Sequence, residues 1–152
     1  FYTEAFPLLK KYNAKATLYV IINALGTKGY LTKEQVKELA DSGLVEIGSH
    51  TFNHPDLRTL KSKDVKFEIE LSKKILENIS GQKISSFAYP FGLYKTEFFK
   101  LVSDAPYLTA VSVMPGTKQG EDDLWILRRI RPNDREGEIF INWLKDWEKS
   151  TY

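Results

Sequence analysis

The sequence contains no cysteine, and only two of its 152 residues are histidine. The absence of cysteine excludes disulfides, thiolate metal sites and cysteine nucleophiles. Charges of one sign do not dominate either, since 22 Lys and Arg stand against 20 Asp and Glu, and this balance gives no reason to expect a nucleic-acid partner. No apolar run approaches the roughly 18 residues of a membrane span. We therefore predict a single domain over residues 1–152 that neither crosses a membrane nor binds nucleic acid.

Short apolar runs alternate with longer amphipathic segments along the chain. The runs indicate strands, because they are too short for buried helices and several are rich in β-branched residues. Strands are predicted at 16–22, 44–49, 84–90, 108–113 and 124–132, and helices at 1–12, 31–43, 62–81, 95–104 and 136–150. This alternation is typical of a parallel α/β sheet or barrel, and the pattern alone does not exclude an open doubly wound sheet.

Local signals indicate where several helices begin and end. Thr32 stands three residues before Gln35, which predicts a capping box, and Gly43 and Gly81 predict helix ends. Pro7 is compatible with a helix only in the first turn, where its missing N–H is not needed.

Both histidines lie in one short segment, GSHTFNHPDL at 48–57. His50 follows a predicted strand, and parallel α/β folds collect their chemistry where strands end. Two converging imidazoles can bind one zinc-like ion, although the proline after His54 argues against a regular helix. Asp56 lies nearby, either as a ligand or as a cap of the loop. From these residues alone, a metal site and a loop network without metal remain alternatives.

Three motifs, in this order, resemble the polysaccharide deacetylase family, the carbohydrate esterases with a NodB homology domain. They are FPLLKKYNAKATLYVI, EIGSHTFNHPDL and FAYPFG. The last is most similar to the branch that includes deacetylases of poly-N-acetylglucosamine. The resemblance covers nearly the whole chain and implies a distorted, incomplete (β/α) barrel. It also implies a hydrolase, extracellular or at the cell surface, that removes acetyl groups from an N-acetylglucosamine-containing exopolysaccharide or cell-wall polymer.

The same resemblance assigns roles to individual residues. His50 and His54 would be metal ligands, with zinc the first choice and cobalt, nickel, iron or manganese as alternatives. The backbone N–H of Phe91 would stabilise the oxyanion. The expected substrate-binding residues are Tyr89, Pro90, Phe91, Gly92, Tyr94, Arg129 and Arg131, and Trp125 is a further stacking candidate. Ala88 stands where many members have an arginine, and no histidine remains for the family's general acid.

The third metal ligand and the general base are not found in this sequence. In the family, both are aspartates of a Thr-Phe-Asp-Asp motif on the first barrel strand. We therefore expect a domain that is partial at its N-terminus and lacks that strand, with weak metal affinity and little turnover on its own. The strand at 16–22 would then have an unpaired edge, through which copies of the chain can form a homo-oligomer. The alternative function is a non-catalytic carbohydrate-binding or structural remnant of the same fold.

Overall fold

A parallel sheet of four strands forms the centre of the structure, a computed structural model that describes residues 1–149. The strands are β1 (Ala16–Val20), β2 (Val45–Ser49), β3 (Ser86–Ala88) and β4 (Thr109–Val111). They lie side by side in chain order, and every neighbouring pair is parallel. A doubly wound sheet reverses its order at a switch point, whereas a barrel winds in one direction. The order therefore confirms the α/β prediction and favours the barrel type.

One α-helix precedes the first strand, three connect the strands and one follows the last strand, within residues 1–149. They are α1 (Ala5–Tyr12), α2 (Lys33–Asp41), α3 (Ser62–Ser80), α4 (Phe98–Asp104) and α5 (Gly137–Lys149). The predicted capping box is confirmed, since the Gln35 N–H donates to Thr32 Oγ1 at 3.2 Å and the Thr32 N–H to Gln35 Oε1 at 2.9 Å. Gly81 ends α3 in the left-handed region at φ 71°. The predicted last residue of α5, Ser150, lies outside the described residues.

Helices α2 and α3 cover one face of the sheet. Val45, Ile47 and Phe87 of β2 and β3 are buried on this side. The helical residues buried in the same core are Val36, Leu39, Val65, Ile69 and Leu76. Each such side chain contributes about 1.5–3 kcal/mol by leaving water, so this layer holds the strands in register.

The other face of the sheet carries polar side chains. The Glu46 carboxylate accepts hydrogen bonds from the hydroxyls of Thr17 at 3.3 Å and Ser86 at 3.0 Å, which link β1, β2 and β3. Nearer the carboxyl ends, the register places Tyr19 of β1 beside Gly48 of β2. The ring of Tyr19 occupies the space that a side chain at Gly48 would need.

The prediction of a full strand at 124–132 is wrong. Only one parallel bridge, between Val111 and Leu127, joins this segment to β4. The Leu127 N–H donates to Ala110 O at 2.8 Å, but the next N–H on that side of the segment, of Arg129, donates to Met114 O at 2.9 Å, beyond the end of β4. The regular ladder therefore does not continue past Leu127.

Strand β1 forms one edge of the sheet and β4 the other. The homo-oligomer through the edge of β1 stays a prediction. Within residues 1–149, no helix combines the length and apolar character needed to cross a membrane.

We predict that Gly48→Ala lowers the free energy of unfolding by about 1–3 kcal/mol, because it overpacks the sheet face. The added Cβ would lie 2.6 Å from the ring of Tyr19 and 2.8 Å from Ser86 Oγ. Urea denaturation measures the change. Gly120→Ala is the matched control, since its Cβ would meet no atom closer than 3.7 Å and its φ is −103°. We expect the control to change stability by less than about 0.5 kcal/mol, and equal effects of the two variants would contradict the packing argument.

Candidate functional site

His50 stands where the carboxyl ends of β2 and β3 meet. It follows the last residue of β2 directly, and its N–H donates to Val20 O of β1 at 3.0 Å. The Nδ1 atom of its ring lies 2.8 Å from the carbonyl oxygen of Ala88, the last residue of β3. A carbonyl can only accept, so Nδ1 carries the proton and Nε2 keeps a free lone pair. The ring is thereby held in the tautomer that a metal ligand needs.

His54 is brought back to His50 by a tight, non-helical loop. Thr51 and His54 both lie in the left-handed region, at φ 68° and 60°, which costs about 1–2 kcal/mol for each residue. The His54 N–H donates to Thr51 Oγ1 at 2.9 Å and closes the turn. The two imidazole centroids are consequently 4.7 Å apart, in an edge-to-face arrangement. The expectation that Pro55 prevents a regular helix here is confirmed.

The surroundings of His50 favour its neutral form. Burial lowers the pKa of its imidazole, and the neighbouring His54 lowers it further, while the hydrogen bond to Ala88 acts in the opposite direction. The net direction is below the ordinary value of 6.5, so His50 is uncharged at neutral pH. Neutral imidazole is the form that binds metal ions.

A second turn, directly after β3, faces the histidines. Pro90–Gly92 forms one turn of 3₁₀-helix, in which Phe91 has a left-handed φ of 59°. The Phe91 N–H lies in the first turn, where backbone donors have no partner within the helix. The side chain of Phe91 is exposed, with 58% of the residue's surface accessible, and its ring lies edge-to-face against His54 with the ring centroids 4.6 Å apart. Gly92 has a φ of 71° and touches Val113 so closely that an added Cβ would lie 2.4 Å from it, so glycine is needed at this position.

These elements surround an open cavity of about 630 Å³. Its lining includes Tyr19, His50, Phe91, Gly92, Arg129 and Arg131. The Arg129 guanidinium carbon lies 5.9 Å from the ring centroid of Tyr19, over its face. A smaller cavity of about 390 Å³ beside β1 is lined mainly by apolar and aromatic side chains and contains no histidine or carboxylate. The chemistry therefore points to the cavity at His50.

The two histidines fit a divalent metal only in part. Their nitrogen donors suit zinc and its neighbours, and the hydrogen bond from His50 to Ala88 is the kind of outer contact that orients such ligands. Among residues 1–149, no group of three or more His, Asp or Glu side chains could hold a metal ion. The third ligand expected from the resemblance is thus not found in the described residues.

Comparison with known proteins agrees with the motifs. The sequence model described as polysaccharide deacetylase matches residues 1–110. The chain belongs to the polysaccharide deacetylase family. The resemblance seen in the three motifs is thereby confirmed.

Three relatives illustrate the similarity to this family. A Bacillus subtilis protein named for the family, YxkH, is 36% identical over 130 residues, covering 86% of this chain and 46% of that protein. The poly-β-1,6-N-acetyl-D-glucosamine N-deacetylase of Staphylococcus epidermidis is 26% identical, covering 97% of this chain and 54% of that protein. The structure of the Streptococcus pyogenes deacetylase PplD in complex with acetate is 32% identical, with a TM-score of 0.86 over 97% of this chain and 65% of that one. The chain spans about half the length of the two curated relatives.

The structure separates the expected substrate-binding residues of this family member into two groups. Phe91, Gly92, Arg129 and Arg131 line the cavity, as does Tyr89. The expectation that sugars stack on Tyr89 is wrong, because this side chain is only 2% exposed and packs against Phe87 and Tyr94. Burial also raises the pKa of its hydroxyl, which forms no hydrogen bond within the described residues.

Three other candidates have structural contacts instead. Pro90 is buried as the first residue of the 3₁₀ turn, Tyr94 donates a hydrogen bond to Met114 Sδ at 3.3 Å, and Trp125 packs on the core. None of the three is among the described residues that line the cavity. Asp56 caps the short helix after the loop, since its Oδ1 accepts from the Arg58 N–H at 3.0 Å, which resolves its role in favour of the cap.

Sequence reasoning missed two residues that shape the site. Tyr19 looked like an ordinary strand aromatic, yet it lines the cavity and lies beneath Arg129. Glu68 sits on the apolar side of α3, buried to 5% exposure beneath the histidine loop. The available signal for Glu68 was a carboxylate flanked three residues away on both sides by apolar residues, Val65 and Leu71.

We predict that Thr51→Val lowers the free energy of unfolding by about 1–2 kcal/mol, because the His54 N–H loses its acceptor while the side-chain volume is kept. Urea denaturation and amide exchange at His54 measure the effect. Thr51→Ser, which keeps the hydroxyl, is the control and should retain His54 protection. Equal loss of protection in both variants would contradict the role of the hydroxyl.

Proposed function

We propose that this chain is the catalytic part of a metal-dependent hydrolase that removes acetyl groups from an N-acetylglucosamine-containing polysaccharide. One observation carries the proposal. The Ala88 carbonyl orients His50 at 2.8 Å, and His50 and the Phe91 turn line one cavity. The ring of His54 packs against both, with centroids 4.7 Å from His50 and 4.6 Å from Phe91. Neutral nitrogen ligands and a backbone N–H are thus collected where a carbonyl could be attacked.

Each described residue has a separate task in this proposal. His50 and His54 would hold the metal through ring nitrogens, and when bound a divalent ion polarises an acetyl carbonyl and lowers the pKa of water to about 7. The Phe91 N–H would donate to the oxygen that becomes negative as the carbonyl is attacked, a contribution of about 3 kcal/mol in comparable sites. Arg129 and Arg131 would bind oxygens of the sugar chain.

The substrate class is supported by the chemistry and by the relatives. The S. epidermidis relative is named for N-deacetylation of poly-β-1,6-N-acetyl-D-glucosamine, and the S. pyogenes structure contains acetate, the product expected of such a reaction. With an exopolysaccharide or cell-wall polymer of this kind as substrate, the protein would act outside the cell or at its surface. The family's general base and third ligand, aspartates that the sequence does not contain, stay predictions.

Acetate release from acetylated glucosamine oligomers tests the proposal in the whole protein. We expect release that stops when a chelator removes divalent metal and returns with zinc. His50→Ala and His54→Ala should each lower the rate by more than about 100-fold, beyond the 10–100-fold loss typical of residues behind a ligand.

Glu70→Gln is a suitable control, because Glu70 is exposed on α3 and, within residues 1–149, forms an ion pair only with Lys66, at 3.6 Å. It should retain the parent rate. Glycan binding without metal-dependent acetate release from several oligomers would overturn the proposal and favour the non-catalytic carbohydrate-binding alternative.

A further inference from the structure

Glu68 is a buried carboxylate that the proposed chemistry does not use. It lies on α3 with 5% of its surface exposed, beside the fully buried Ile69. A carboxylate in such a position is costly unless nearby donors compensate the charge. The donors that surround it therefore indicate what it is for.

Three N–H groups of the histidine loop supply that compensation. Glu68 Oε2 accepts from the backbone N–H groups of Phe52 at 2.9 Å and Asn53 at 2.8 Å. Its Oε1 accepts from the side-chain amide of Asn53 at 2.7 Å. All three donors lie between His50 and His54, and hydrogen bonds to a carboxylate are among the strong ones in proteins.

The loop is held from its opposite side by the chain that follows β1. The Ile22 N–H donates to Thr51 O at 3.3 Å, and the Asn23 N–H to Phe52 O at 2.9 Å. The Asn23 side-chain amide donates to Asn53 Oδ1 at 3.1 Å. The side-chain amide of Asn53 therefore connects Asn23 with Glu68, its oxygen facing Asn23 and its nitrogen facing Glu68.

We propose that Glu68 is a positioning residue that sets the spacing of the two imidazoles through the backbone between them. The inference rests on the proposed function, because the spacing matters only if His50 and His54 act together. Glu68 hydrogen-bonds to neither ring. Its carboxylate instead fixes the peptide groups at Phe52 and Asn53, so that the left-handed residues on either side of them bring the rings to 4.7 Å.

Glu68→Gln is the first test, since it keeps the shape of the side chain but presents an amide N–H₂ to the amide of Asn53. We expect zinc affinity, measured by chelator competition, to fall by about tenfold or more. The turnover number for acetate release should fall with little change in KM. Amide exchange at Phe52 and Asn53 should accelerate by about tenfold. Glu70→Gln is again the control and should change none of these quantities.

A reversed pair provides the rescue. Asn53→Asp alone places two carboxylates together and should also weaken zinc binding. In the double variant Glu68→Gln/Asn53→Asp the amide and the carboxylate exchange places. The amide now on α3 can donate to the carboxylate now in the loop, while its oxygen still accepts the two backbone N–H groups. We expect the double variant to bind zinc at least about tenfold more tightly than either single variant.

Two results would overturn the positioning role. The first is a Glu68→Gln protein that is less stable to urea yet binds zinc within about twofold of the parent, which is what a merely structural carboxylate predicts. The second is a double variant that binds no better than the single variants. If the parent protein bound no zinc, the proposed function would fail. Amide exchange would still test whether Glu68 fixes the loop backbone, because unchanged protection at Phe52 and Asn53 in Glu68→Gln would overturn that role.

Discussion

The candidate site depends on the parallel pairing of β2 with β3, in which Ser49 lies opposite Phe87. Because parallel strands end at the same edge of a sheet, this register places His50 and the Ala88 carbonyl within 2.8 Å of each other. It also starts the Pro90–Gly92 turn beside the histidine loop. A shift of one residue in either strand would separate the imidazole from the carbonyl that sets its tautomer. The chemistry is therefore a consequence of strand register more than of any one side chain.

Strained backbone is concentrated around this edge. Thr51, His54 and Phe91 are three of the five non-glycine residues with positive φ in the described chain, and all three are at the site. Each such residue costs about 1–2 kcal/mol, so the surrounding contacts must hold it in place. The Thr51 hydroxyl does so for His54, and the Glu68 carboxylate does so for the residues between the histidines. The strained residues thus lower the stability of the fold but fix the arrangement of donors at the site.

Local patterns predicted the alternation of strands and helices and the capping box, since these depend on residues close in sequence. Strand order and the conformation of 124–132 depend on contacts between distant segments, and there the N–H of Arg129 donates to Met114 O, beyond the end of β4, rather than to β4 itself. The histidine spacing and the family motifs predicted which residues meet at the site. Tyr89 is buried by Phe87 and Tyr94, and Glu68 lies beneath the loop because of how α3 packs on the sheet; spacing alone reveals neither.

The candidate metal site requires that one loop present two imidazoles to a divalent ion, with Nε2 of His50 free to bind it. Long-range ¹H–¹⁵N NMR of the histidine rings tests this requirement. We expect His50 to carry its proton on Nδ1 in the metal-free protein, and we expect added zinc to shift the Nε2 signal of His50 together with a ring nitrogen signal of His54. A proton on Nε2 of His50, or zinc that shifts neither ring, would contradict it.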